Sequence, residues 1–146
     1  MKKRSDAAVE MFLGEANCAQ SVLFAFCEEL GLDGDTALKL ACGFGAGMGR
    51  RQEVCGAVTG ATMVIGLKHG RGLRQGQEAK ETTYGLVRTL MDRFAERFGS
   101  VLCRGLLDGC DLATAAGQQE YQEKDLVHRT CAPCVRGAVE ILEEIL

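Results

Sequence analysis

The chain has 146 residues, 47% of them hydrophobic and 25% charged, and a net charge of −3. That is one ordinary domain able to bury its own core, and the charge excludes the broad basic surface that nucleic acid or anionic lipid would need. No apolar run approaches the ~20 residues of a membrane span, and Asp6, Glu10 and Glu15 interrupt the stretch behind Lys2, Lys3 and Arg4 that a secretion signal would keep apolar.

The expected compartment is therefore the cytoplasm, where cysteines stay reduced unless they do redox or metal chemistry. Eight cysteines are too few for a small disulfide scaffold and too many to pass as core filler.

Helical periodicity dominates the chain. Asn17 is a good N-cap, and behind it Cys18, Val22, Leu23, Phe26, Cys27 and Leu30 recur three or four apart. Gly31 and Gly34 separate this helix from the next, and the glycine-rich run CGFGAGMGRR (residues 42–51) separates the third from the fourth. Gln52, Glu53 and Val54 open a helix with Cys55 just inside it, followed by Val58, Ala61 and Ile65. KHGRGLRQG (68–76) reads as a basic loop before a long helix carrying Val87, Leu90, Met91, Phe94 and Phe98. Ser100 can cap a helix with Cys103 in its first turn. The stretch 108–118 is weak, and Thr130 can cap a last helix that begins at Cys131 and carries Val135, Ala138, Val139, Leu142 and Ile145. Strand evidence is poor, with aromatics only 5%. The pattern predicts a single all-α domain over residues 1–146, an antiparallel bundle of five or six helices with a glycine-rich loop beside a cysteine site.

Four cysteines thus fall at the starts of four helices: Cys18, Cys55, Cys103 and Cys131. A helix start carries partial positive charge and unpaired N–H groups, which favour a thiolate, and the thiolate is both the exchange nucleophile and the metal-binding form. Converging helix ends would make a pocket for several thiolates. Cys27, Cys42 and Cys110 read instead as small hydrophobes.

The segment CGAVTG (55–60) and the wider runs NCAQSVL, GFGAGMGRRQEVCGAVTGATMVIGLKHG, FAERFGSVLCRGLLDGCDL and CAPCVRGAVEIL resemble the C-GCAxxG-C-C family of "putative redox-active proteins" over nearly the whole chain. The resemblance implies the same four characteristic cysteines, Cys18, Cys55, Cys103 and Cys131. Related domains are also similar to part of a multihaem cytochrome containing an iron centre, which keeps iron–sulfur chemistry open. Cys134 departs from the family pattern, where an apolar residue is expected, and creates the pair Cys131-x-x-Cys134.

That pair has no βαβ setting, so it is not a thioredoxin motif, and no histidine follows it for haem attachment. Cysteines three apart in a helical turn are close enough to form a disulfide. With Pro133 fitting a first turn, Cys131 is expected to attack and the deeper Cys134 to resolve. His128 with the two cysteines supplies three candidate zinc ligands, but a second C-x-x-C is missing. The run GFGAGMGRR is no phosphate loop, since it follows a helix and lacks the Gly-Lys-Ser/Thr ending. It is expected to wrap Cys55 and donate N–H groups to sulfur, with Arg50 and Arg51 solvated or holding thiolates anionic. Gly56 and Gly60, the candidate cofactor-binding glycines, clear one helix face for close packing.

The leading expectation is a redox protein with thiol–disulfide oxidoreductase-like activity or electron transfer, using Cys18, Cys55, Cys103, Cys131 and Cys134. The alternative is a module that binds zinc or an iron–sulfur cluster through Cys18, Cys55, Cys103 and Cys131 without turnover. A third reading is a structural helical protein with inert thiols. No organic substrate and no particular redox partner is legible. The apolar face of the tail VEILEEIL (139–146) suggests a homodimer.

Overall fold

A computed structural model describes residues 1–146. Helix α1 (Arg4–Leu13) leads into α2 (Cys18–Cys27), which is fixed at its start by a complete capping box. The Asn17 side chain accepts from the Gln20 N–H at 3.0 Å, and the Gln20 side chain accepts from the Asn17 N–H at 2.9 Å. The remaining donors of the same two side chains reach the carbonyls of Cys42 and Leu38 at 2.8 and 2.9 Å, tying α2 to α3 (Gly34–Cys42).

After α3 the backbone turns left-handed. Ala46, Gly47, Met48, Gly49, Arg50 and Gln52 all have positive φ, and four of these are not glycine. Each such residue costs on the order of 1–2 kcal/mol, so the surrounding contacts must hold the segment in place. Gly47 has no substitute here: besides its φ of 64°, a Cβ would sit 2.7 Å from Gln52 Cα and 2.8 Å from Cys103 Cβ.

Helix α4 (Gly56–His69) crosses α2 closely because Gly56 and Gly60 present bare backbone to Ala19. A long α5 (Gln77–Phe98) follows, then a single turn α6 (Cys103–Leu106), α7 (Ala115–Glu123), a π-helical turn (Val127–Cys131) and α8 (Ala132–Ile145). The fold is all-α, as the periodicity predicts. Its eight helices exceed the five or six expected: α6 is the short helix expected at Cys103, whereas α7 begins inside the weak stretch 108–118, which has no clear apolar period.

One core unites α1, α2, α4, α5 and α8 around Leu23, Ile65, Leu90, Phe94, Val135 and Leu142. The C-terminal face expected to seek a second copy is used within the chain: Val139, Ile141 and Leu142 are buried, and Ile145 and Leu146 pack against the same core. The long-range ion pairs Arg93–Glu144 and Arg97–Glu140 clip α8 to α5 on the exposed side. No helix is long and apolar enough to cross a membrane.

Candidate functional site

Two non-local connections bring the cysteines together. The first is an isolated antiparallel bridge between Val54 and Leu102. In it the Cys55 N–H donates to the Val101 carbonyl at 2.8 Å and the Cys103 N–H donates to the Glu53 carbonyl at 2.7 Å. The starts of α4 and α6 are thereby sewn side by side, and an exposed Arg104–Glu53 ion pair spans the same seam. The second is the close approach of α2 and α4, which leaves only 3.1 Å between the Cβ position of Gly56 and Cys18 Cβ.

Beneath the seam lies Gln52, expected to open the helix of Cys55 but instead a buried polar residue ahead of it. Its Nε2 donates to the Cys110 carbonyl at 2.6 Å and its Oε1 accepts from the Leu112 N–H at 2.8 Å. It therefore substitutes for secondary structure across the 108–118 stretch, holding it against the left-handed segment.

These elements enclose a cavity of about 360 Å³. Five cysteines line it: Cys18, Cys55, Cys103, Cys131 and Cys134. All are free thiols. Cys134, Cys55 and Cys103 are 2, 6 and 7% exposed, whereas Cys18 and Cys131 are half-buried. The other three cysteines lie elsewhere. Cys42 is exposed, and the buried Cys27 and Cys110 donate to the carbonyls of Phe24 and Gly117 at 3.3 and 3.1 Å.

Cys18, the first residue of α2, and Cys103 fall at helix starts as expected, Cys103 with Leu102 rather than Ser100 as its cap, while Cys55 and Cys131 are placed differently. Cys55 is the extended N-cap of α4 rather than a residue inside it, because the left-handed Gln52 and the bridge at Val54 delay the helix to Gly56. Ser100 accepts from the Leu102 N–H at 3.0 Å and so caps a bend ahead of α6. Thr130 is no cap at all. The π-turn continues the helix upstream, and Cys131, at φ −70° and ψ −45°, sits mid-helix with no free helix end behind its sulfur. The turn answers Pro133, which has no N–H and would crowd the preceding carbonyls of a regular helix. There the Ala132 N–H donates to the Val127 carbonyl, five residues back.

The sulfurs pair across helices rather than along the C-x-x-C. Across helices, Cys18 and Cys131 shift each other's acidity in opposite directions, and so do Cys134 and Cys55, with Cys131 and Cys55 on the accepting side. The accepting members are the more acidic. Cys131 is lowered to about 7, first by the bond from Cys18 and also by the Tyr121 hydroxyl, which donates to its sulfur at 3.4 Å. Cys55 is lowered by the bond from Cys134 and by the N–H groups of Ala57 and Val58 at its own helix start. The glycine-rich loop was expected to make such donations, but it contributes wall instead: Ala46, Gly47 and Arg50. The donors Cys18 and Cys134 are pushed well up by those bonds and by burial, and burial raises Cys103 to about 12.

Gly56 lines the cavity, while Gly60 lies one turn away against Ala19 and does not reach it. For metals the arrangement is a poor fit as it stands. No three His, Cys, Asp or Glu side chains are set to hold one ion, and His128 is turned outward, 2.8 Å from Asp125.

A family model described as "Putative redox-active protein (C_GCAxxG_C_C)" matches residues 16–145. The chain belongs to that family. Neither the curated proteins nor the solved structures give a match. The matched span includes every cysteine of the cavity and omits the whole of α1, which packs on α2 and α8.

Proposed function

We propose that the protein carries out thiol–disulfide exchange, with Cys131 as the attacking thiolate and Cys18 as its resolving partner. The observation that carries this reading is the convergence of five free thiols from four helices on one cavity, with the Tyr121 hydroxyl donating to the Cys131 sulfur. Each pair holds an acidic sulfur beside a protonated one, which is the arrangement a dithiol needs to attack and then resolve a disulfide. Cys55 and Cys134 form a second, more deeply buried pair. The resolving role thus passes from Cys134, favoured by sequence adjacency, to Cys18.

Controlled oxidation followed by tryptic peptide mapping tests this pairing. Cys131 and Cys134 share the peptide Thr130–Arg136, whereas Cys18 lies on Ser5–Lys39 and Cys55 on Gln52–Lys68. The expected product joins all three peptides. A disulfide closed within Thr130–Arg136 would refute the cross-helix pairing.

A second reading is thiolate binding of zinc or an iron–sulfur cluster, supported by five sulfurs on one cavity. It requires the side chains to rearrange. Anaerobic purification with iron and zinc analysis and an absorption spectrum decides it: stoichiometric metal supports binding, and metal-free protein with reversibly titrating thiols supports exchange.

A further inference from the structure

The cavity that holds the thiols also limits what can reach them. Its walls are mostly apolar, with Phe12, Leu106, Leu107, Leu112 and Val127 facing the sulfurs. Its volume of about 360 Å³ falls at the small end of ligand pockets, roughly the space of a dozen waters. Arg50 is the only basic or carboxylate side chain on the lining, and no ion pair or side-chain hydrogen bond ties it to the rest of the chain. It projects from the left-handed segment at φ 72°, so a costly backbone conformation sets a free cation at the rim of an apolar, thiol-lined space. A folded protein's disulfide would have to enter a space this size with its flanking backbone. A small molecule would not.

Resting on the exchange chemistry proposed above, we infer that the oxidant is a small organic disulfide with an apolar body and a carboxylate, the carboxylate held by Arg50. The Cys131 thiolate attacks one substrate sulfur, the substrate S–S bond breaks, and one thiolate leaves and takes up a proton. Cys18 then gives up its proton and attacks the Cys131 sulfur, breaking the mixed disulfide and releasing the second thiol. Two cysteine thiols and one disulfide become one Cys18–Cys131 disulfide and two small thiols, a balanced two-electron step.

The test uses full-length reduced protein and three probes: 3,3′-dithiodipropionate, which carries carboxylates, cystamine, which carries ammonium groups, and insulin as a protein disulfide. Rates of oxidation are read for wild type, Arg50→Gln and Arg50→Lys, with circular dichroism confirming the fold. Removing the guanidinium should lower the dithiodipropionate rate relative to cystamine by up to about fivefold, the upper end of what one exposed charge pair contributes. Arg50→Lys should keep most of the preference, and insulin should react slowest of the three. An unchanged ratio in Arg50→Gln, or insulin reduced as fast as the small disulfides, overturns the substrate class while leaving exchange intact. Failure of every probe to form a mixed disulfide at Cys131 overturns the exchange chemistry itself.

Discussion

Replacing Gly60 by alanine tests how the site is assembled, because a single methyl would land on backbone rather than on a movable side chain. The new Cβ would lie 2.6 Å from the Ala19 carbonyl oxygen and 3.0 Å from Ala19 Cα, several tenths of an ångström inside ordinary contact. Neither atom can rotate away, so α2 and α4 must separate. Overpacking of this kind costs about 1–3 kcal/mol, while alanine returns about 1 kcal/mol of helix propensity. The net loss should be up to about 2 kcal/mol, or up to roughly 8 °C in melting temperature for a domain of this size. The same helix supplies the control, since a Cβ at Gly66 meets nothing within 4 Å. Gly66→Ala should therefore raise stability by about 0.5–1 kcal/mol. Urea and thermal unfolding of the two variants beside wild type give the answer. A Gly60→Ala protein as stable as Gly66→Ala would refute the close approach on which the placement of Cys18 beside α4 depends.

The thiols should separate on a pH series. Iodoacetamide labelling of the reduced protein should rise at Cys131 with a midpoint near 7 and remain slow at Cys103, which burial holds near 12. Tyr121→Phe removes one donor to the Cys131 thiolate, so that midpoint should move upward; an unmoved midpoint would remove Tyr121 from the site. Gln52→Leu strands the Cys110 carbonyl and the Leu112 N–H in a buried place, and should cost about 2–4 kcal/mol in urea unfolding.

What the sequence made legible was local. The Asn17 cap, the apolar stripes of α2, α5 and α8, and the exposed basic stretch 68–76 all depend on neighbours a few residues away, and each is where periodicity and capping place it. The glycine-rich run was readable as a sharp turn, but not that alanine, methionine, arginine and glutamine would share its left-handed course. The site boundaries failed wherever a distant partner decides. Cys55 became an N-cap because Leu102 pairs with Val54, and Gln52 acquired its role from Cys110 and Leu112, 58 and 60 residues along the chain. Thr130 looks like a cap only if the helix begins behind it, and no capping pattern signals a π-turn. The tail's apolar face was visible, whereas its partner, the chain's own core, was not.

The π-turn of residues 127–131 is, in counting terms, a helix carrying one residue more than its turns require. A surplus residue offsets everything on its N-terminal side by about 100° around the axis, since 3.6 residues make a turn. On that side the helix runs back only to Leu126, where the left-handed Asp125 joins it to α7 and Tyr121; Cys134 lies on the other side and Cys131 at the join. Chain length between Tyr121 and Cys134 is therefore a coordinate of the site in its own right. Deleting His128 or Arg129, neither of which lines the cavity, should relax the turn into ordinary α-helix and shift the Asp125 turn, with α7 and Tyr121 behind it, relative to the Cys131 sulfur.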